Sequence, residues 1–528
     1  MIPLSDIEWG PFDAAEPDDN FSKKYFEPDE FKTLLKKGIS LIAGEKGSGK
    51  TALRKGFLLN HADDFTGIAD IRFDSIEVSP IIKSVSHLSS LTEINNLTFI
   101  TNYWKYCLVI EAAKLSIQKG SKRDRNLLFI KNYLMREELI DRPLFTNILT
   151  IIGKSWEFIS DLTDPRKIKN LQDKKYEIMP ASLHPKIIEE LKDYPIFDPE
   201  FTKFFDRLCT HLDNTNQSIL VILDGLDRLD TSSQDVRSGL QTIFNGLAQA
   251  IYDLSVDENL SHRVHIKCLF PYDRYVSLSL RDLDKIFYKS NNIVWTYDNL
   301  KIFLTRRMAL NRRLKLLSTF DRMWSEIMPS EIRNQFYGID EKTYDYLLRH
   351  TMYRPRHLQV HLDHLSESYR GKIIDSKLIP KSVATSSKKL ADAYIKEFEV
   401  DHPHLYDFLL ILKNQKNVMP YGEFRGILAK AMNRFSINQS VSEKIDILYA
   451  MGFFGVIIFI DHDPSSIDVD NSYTPPTKPK IDRYFIDFYY KGSMKKVSTY
   501  LDDDTLIAIH PIFFDFAKMK PHDDYIIG

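Results

Sequence analysis

Cysteine is scarce, with only Cys107, Cys209 and Cys268 in 528 residues, far apart in the chain. That count and spacing exclude a disulfide framework and a zinc site built on cysteine pairs. Two of the three sit in apolar runs, as reduced core thiols do. Excess charge is also lacking. With 71 basic and 73 acidic residues the formal net charge is −2, which removes any whole-molecule electrostatic case for nucleic acid or an anionic membrane and leaves room only for a local patch. No apolar run approaches membrane-spanning length, and the opening Met1-Ile2-Pro3-Leu4-Ser5-Asp6 lacks the basic-then-apolar pattern of a signal peptide. The expected location is the cytoplasm, with no membrane partner. Hydrophobic residues at 43% and charged ones at 27% describe an ordinary folded protein, and the length is too great for a single core.

Against that plain background one stretch is specific. Gly44-Glu45-Lys46-Gly47-Ser48-Gly49-Lys50-Thr51 follows the apolar run 39–43 and precedes Ala52-Leu53-Arg54-Lys55. Strand, glycine-rich turn and helix start are what wrap backbone N–H groups around a phosphate chain. Glycines are needed there because a Cβ would forbid the close approach. In such a P-loop Lys50 reaches the β- and γ-phosphates and the Thr51 hydroxyl ligates Mg²⁺. The expected nucleotide-binding set is Gly44, Lys46, Gly47, Ser48, Gly49, Lys50, Thr51 and Ala52.

A second motif supports the first. Residues 218–223 are a continuous apolar run, the pattern of a strand buried on both faces of a parallel sheet, and the run ends in Asp224-Gly225-Leu226-Asp227-Arg228-Leu229-Asp230. An aspartate at that strand end is where a P-loop fold puts its second magnesium-orienting carboxylate. Asp224 takes that role, and Asp227 is the candidate to orient or deprotonate the attacking water, with Asp230 an alternative. The run 264–270 reads as a further core strand ending in Pro271-Tyr272-Asp273-Arg274. Those last two residues are either a γ-phosphate sensor or a plain strand-end turn.

The rest of the chain divides by pattern. Residues 1–38 are a lead-in whose Trp9, Phe12 and Phe21 either cover a nucleotide base or pack on the core, and a short helix begins near Pro28. Residues 39–295 form the core, with strand alternation at 68–73 and a helical insertion over about 95–200. A lid at 296–395 opens with a basic helix, Arg306-Arg307 through Arg312-Arg313-Leu314-Lys315. Its arginines are solvated, or form an inter-subunit finger or a nucleic-acid contact. Pro355 suits a first helical position, so Arg354 and Arg356 project from a helix start, as caps or towards a phosphate. A polar connector covers 376–389. Residues 396–528 read as helices, then a strand, a long loop and a strand, the outline of a winged helix. Glu443, Lys444 and Asp446 on the third helix and the acidic loop from Asp461 argue for a protein-contact or autoinhibitory role rather than DNA reading.

Together, Gly44 to Leu53 and Asp224-Gly225-Leu226-Asp227-Arg228 resemble bacterial P-loop ATPases related to the STAND, NACHT and KAP groups, within the AAA-related ASCE class. Asp284-Lys285, Val294-Trp295, Arg306-Arg307-Met308, Arg354-Pro355-Arg356 and Ile509-His510-Pro511 are similar to a bacterial family of such ATPases with a helical lid and a winged helix. Pro271-Tyr272 departs from the arginine that related proteins carry after the fourth strand. The resemblance implies an α/β fold with a parallel sheet flanked by helices. It also implies ATP and Mg²⁺ as ligands, slow hydrolysis and a switch role in bacterial signalling or antiphage defence. Self-assembly or a separate effector protein is implied as partner. The alternative is a nucleic-acid-dependent motor or loader, which the net charge does not support.

Overall fold

The computed structural model describes residues 1–11, 13–28, 40–73, 96–118, 124–137, 139–140, 199–228, 234–281, 283–399, 402, 404–459, 484–488 and 497–522. The short helix expected near Pro28, most of the helical insertion, Asp230 and the acidic loop from Asp461 therefore lie outside the described residues. The chain separates into two compact units, residues 27–293 and residues 1–26 with 294–528.

The 27–293 unit is organised by a five-stranded parallel sheet. Its strands are β1 (Leu41–Gly44), β2 (Gly67–Arg72), β3 (Ile219–Asp224), β4 (Val264–Pro271) and β5 (Ser290–Asn292), in the order β2-β3-β4-β1-β5. A parallel ladder needs crossover helices on its faces, so its central strands are buried on both sides. β3 and β4 are buried along their whole length, β3 as its continuous apolar run requires and β4 with His265 and Lys267 buried among its apolar residues. Each leucine or isoleucine so buried contributes about 1.5–3 kcal/mol.

One face, carrying Ala69, Ile71, Val221, Leu223, Ile266 and Cys268, packs on the helices α2 (Asn96–Ser116) and α5 (Gln234–Val256). Those two helices approach closely at Gly246, where an added Cβ would meet Ile100 Cγ2 at 2.5 Å. The opposite face, with Leu220 and Ile222, takes Phe57 of α1 (Lys50–His61). Helices α3 (Arg125–Arg136) and α4 (Pro199–Asn214) pack on each other beside α2, and α3 starts on an Asp124 cap that accepts from Asn126 N–H. All three cysteines are buried free thiols. The P-loop NTPase α/β core expected from the two motifs is the fold found.

In the other unit, the N-terminal residues are tied to a helical layer by backbone acceptors. Arg307 Nε donates to Trp9 O at 2.9 Å, and Gln359 Nε2 donates to Gly10 O at 2.7 Å. Trp9 is buried in this unit's own core. The layer contains α6 (Tyr297–Met308), α7 (Phe320–Ser325), the antiparallel hairpin β6 (Glu331–Asn334) and β7 (Ile339–Lys342), α8 (Thr343–Arg349), α9 (Pro355–Ser368) and α10 (Leu378–Phe398). The basic helix stops at Met308 rather than running on to residue 315. There the Asn311 side chain accepts from the Arg313 and Leu314 N–H groups and so favours a turn over helix.

The polar connector expected at 376–389 is the start of α10, a helix of 21 residues. Its serines disguise an inward face. Ser382, Ser386 and Ser387 are buried among Ile379, Val383, Leu390 and Ala391. The remaining elements are α11 (Leu405–Ile411), β8 (Val418–Pro420), α12 (Tyr421–Arg434), α13 (Val441–Ala450), β9 (Phe454–Phe459), β10 (Tyr484–Asp487) and β11 (Leu506–Ile509), and the antiparallel sheet order is β10-β9-β11-β8. Among the described residues no helix is long and apolar enough to cross a membrane.

Candidate functional site

The loop between β1 and α1 is shaped by its glycines. Gly47 and Gly49 have φ values of 81° and 98°, which L side chains rarely adopt. A Cβ on Gly44 would meet Ser48 Oγ at 2.6 Å. Gly49 is the N-cap of α1, so the free N–H groups of the helix's first turn and its positive dipole end lie at the loop. Ser48 and Lys50 are buried, Thr51 and Ala52 are half-buried, and Lys46 is exposed. Glycine-shaped backbone and a helix N-terminus make an anion cradle.

Lys50 turns back over this cradle. Its Nζ donates to Gly44 O at 2.8 Å and Glu45 O at 3.1 Å, and lies 3.4 Å from Asp227 Oδ2. Asp227 sits in the short 3₁₀ turn Leu226–Arg228 just beyond β3 and is exposed. Although β4 lies between β1 and β3, the loop's lysine and the acid after β3 thus meet directly.

Asp224, at the C-terminal end of β3, is 4% exposed. Its Oδ1 accepts from Gly225 N–H at 2.8 Å. Gly225 has φ 89°, and a Cβ there would meet Phe73 O at 3.0 Å, so the chain can leave the strand tightly only with glycine. The other oxygen, Oδ2, accepts from Arg54 Nε at 3.1 Å. Arg54 also donates from Nη1 to Asp70 Oδ1 and Oδ2, at 2.7 and 2.5 Å. The sequence reading missed Arg54 and Asp70. The available signal was spacing: Arg54 is one helical turn after Lys50 and therefore on the same face of α1. Asp70 was hidden by the regular alternation of its strand, which assigns it to solvent.

The donor set suits a small hard cation. A threonine hydroxyl in the first turn of α1 and a carboxylate at the end of β3 are the oxygen ligands Mg²⁺ takes beside nucleotide phosphates. The Asp224 carboxylate carries an ion pair with Arg54 in this structure.

The remaining candidates make contacts of their own. Asp273 and Arg274 lie on the short helix Tyr272–Val276 after β4 and pair with each other at 3.3 Å. Arg354 and Arg356 are in the 294–528 unit. Arg354 caps α9 and is buried, with its guanidinium 5.3 Å from the Tyr394 ring centroid, while Arg356 is half-buried. Arg307 is held by the carbonyls of Trp9, Lys24 and Phe303, whereas Arg306, Arg312, Arg313 and Lys315 are exposed. On α13, Glu443 closes a capping box with Ser440, Lys444 is buried 5.1 Å from the Phe408 ring centroid, and Asp446 accepts from Ser498 N–H and Oγ–H. The three charges of that helix therefore serve its own fold.

Residues 38–260 match the KAP family P-loop domain, a span that contains both the glycine-rich loop and Asp224. No curated protein matches the chain. The chain carries a nucleotide-binding P-loop NTPase domain.

Proposed function

We propose that the protein binds Mg²⁺-ATP at the loop 44–52, hydrolyses it slowly and uses the bound state as a molecular switch in a bacterial signalling or antiphage defence assembly. A separate effector protein or further copies of the chain would be its partner. The carrying observation is the contact between Lys50 and Asp227 across the loop and the turn after β3. Lys50 neutralises phosphate charge, and the backbone N–H groups of Gly47, Gly49 and the first turn of α1 hold the phosphate oxygens. Mg²⁺, held by Thr51 and Asp224, supplies charge stabilisation at the β- and γ-phosphate oxygens when bound. Asp227 accepts a proton from, or aligns, the water that attacks the γ-phosphorus.

The switch follows from the same contact. A γ-phosphate attracts Lys50 away from Asp227, so the turn after β3 is held differently with ATP than with ADP. Residues 396–528, with the helix, strand and hairpin order of a winged helix, are the proposed output module, and Arg354 and Arg356 are retained as candidate nucleotide sensors. In the test, Asp227→Ala retains ATP binding while hydrolysis falls by about 100-fold or more. A variant that turns ATP over like the parent removes Asp227 from the mechanism.

A nucleic-acid-dependent ATPase is the second reading, favoured by the exposed Arg306, Arg312, Arg313 and Lys315. Stimulation of turnover by DNA or RNA that collapses steeply with salt would select it over the protein-coupled switch.

A further inference from the structure

Charged groups buried beside the loop outnumber those that the proposed chemistry uses. Arg54 is 1% exposed, sits on α1 and binds two carboxylates from two neighbouring strands, Asp224 of β3 and Asp70 of β2. The strands are in register here, with Arg72 opposite Asp224 and Asp70 opposite Ile222. Burying an arginine this deeply is costly unless its charge is met. Two acceptors are more than that requirement needs. Their inequality is informative: Asp224 receives one bond from Arg54, through Nε, whereas Asp70 receives two from Nη1.

We propose that Arg54 is a latch on the cation site. Its guanidinium and a divalent cation compete for the Asp224 carboxylate, and Asp70 is the acceptor that keeps Arg54 when the cation wins. This latch rests on the proposed cation-orienting role of Asp224. The competition follows from charge: a dication at Asp224 stands close to the guanidinium, and like charges a few ångströms apart in a poorly solvated site repel strongly. Giving up Asp224 Oδ2 does not strand Arg54, because both bonds to Asp70 persist. Asp70 is only partly buried and also has Arg72 at 3.6 Å, so it can adjust. Cation loading is thereby coupled to β2, the edge strand of the sheet. Arg54 acts through Asp224 and is a positioning residue.

The latch predicts effects of opposite sign from two substitutions. Mn²⁺ is the probe, bound by the full chain in the presence of a non-hydrolysable ATP analogue and read by electron paramagnetic resonance. Arg54→Gln removes the competing charge, and Mn²⁺ affinity rises about tenfold. Asp70→Asn weakens the alternative acceptor, holds Arg54 on Asp224, and lowers Mn²⁺ affinity by about threefold or more. Analogue binding without metal stays at the parental level in Asp70→Asn. A plain structural ion pair gives no such split: Mn²⁺ affinity that is unchanged in both variants, or that shifts the same way in both, overturns the latch while normal parental binding leaves the cation site standing. A parent that takes up no Mn²⁺ with the analogue overturns the cation-site assignment itself. Should Arg54→Gln fail to fold, Asp70→Asn decides alone, since its side chain is partly exposed and unchanged affinity there is sufficient to reject the latch.

Discussion

Two polar clusters, one in each unit, are built on different principles. Beside the loop 44–52 the cluster consists of opposite charges: Lys50 with Asp227, and Arg54 with Asp224 and Asp70. At the seam of α9 and α10 it consists of neutral hydrogen bonds. His361 donates from Nε2 to His350 O at 2.9 Å, which leaves Nδ1 to accept from Ser386 Oγ–H at 2.7 Å, and His364 and Ser382 are likewise joined at 2.8 Å. Burial keeps the imidazoles unprotonated. The His361 pKa is pushed down to about 4, and those of His350 and His357 also lie well below the ordinary value. A cluster of charges can be rearranged by an incoming charge, whereas a neutral network can only be broken. The first suits a ligand site and the second a rigid seam.

The largest effect belongs to the charged cluster: Arg54→Ala leaves the buried Asp224 without its cationic partner and costs up to about 3–5 kcal/mol in urea unfolding. A loss below about 1 kcal/mol would mean that the pair is not a charge cluster in the energetic sense. Ser386→Ala removes the hydroxyl from the buried His361 Nδ1 and costs about 1–3 kcal/mol. The seam is also acid-sensitive. The unfolded histidine takes up a proton near pH 6.5 and the folded His361 only near 4, so its stabilisation is complete above 6.5 and is lost as pH falls towards 4. A thermal midpoint that drops over this interval in the parent and less in His361→Gln checks the sign.

A further pH-dependent effect concerns Lys267, buried within β4, whose pKa burial pushes down to about 7 from an ordinary 10.5. Between those values the unfolded chain binds the extra proton, so raising the pH stabilises the fold. Lys267→Met is therefore expected to stabilise most at and below pH 7 and progressively less towards pH 10. A gain independent of pH would contradict the assignment.

The parts of this molecule legible in the sequence were those with a repeating physical signature. A continuous apolar run at 218–223 marked a strand buried on both faces, the run 264–270 marked a further core strand, and the glycine pattern at 44–49 marked the loop. Pro355 marked the start of α9. What escaped lacked such a signature. β5 and β8 are three residues each, too short for alternation to register. α10 was read as a connector because its inward face carries serines whose hydroxyls are satisfied by histidines from elsewhere in the chain. Lys444 was read with Glu443 and Asp446 as part of a contact surface on the third helix of 396–528, yet it points inward with its pKa pushed down to about 8 by burial. In the site, Arg54 and Asp70 were missed for a related reason. The partners that justify burying a charge come from distant sequence, and one chain pattern cannot reveal both ends of such a pair.

The central claim, that Lys50 and the glycine-shaped loop form an ATP site, is tested most directly by calorimetric titration of the full chain with ATP and Mg²⁺. The parent is expected to bind one ATP per chain, and Lys50→Ala to lose affinity by about 100-fold while keeping the parental fold by circular dichroism. Equal affinity in the two proteins would contradict the account.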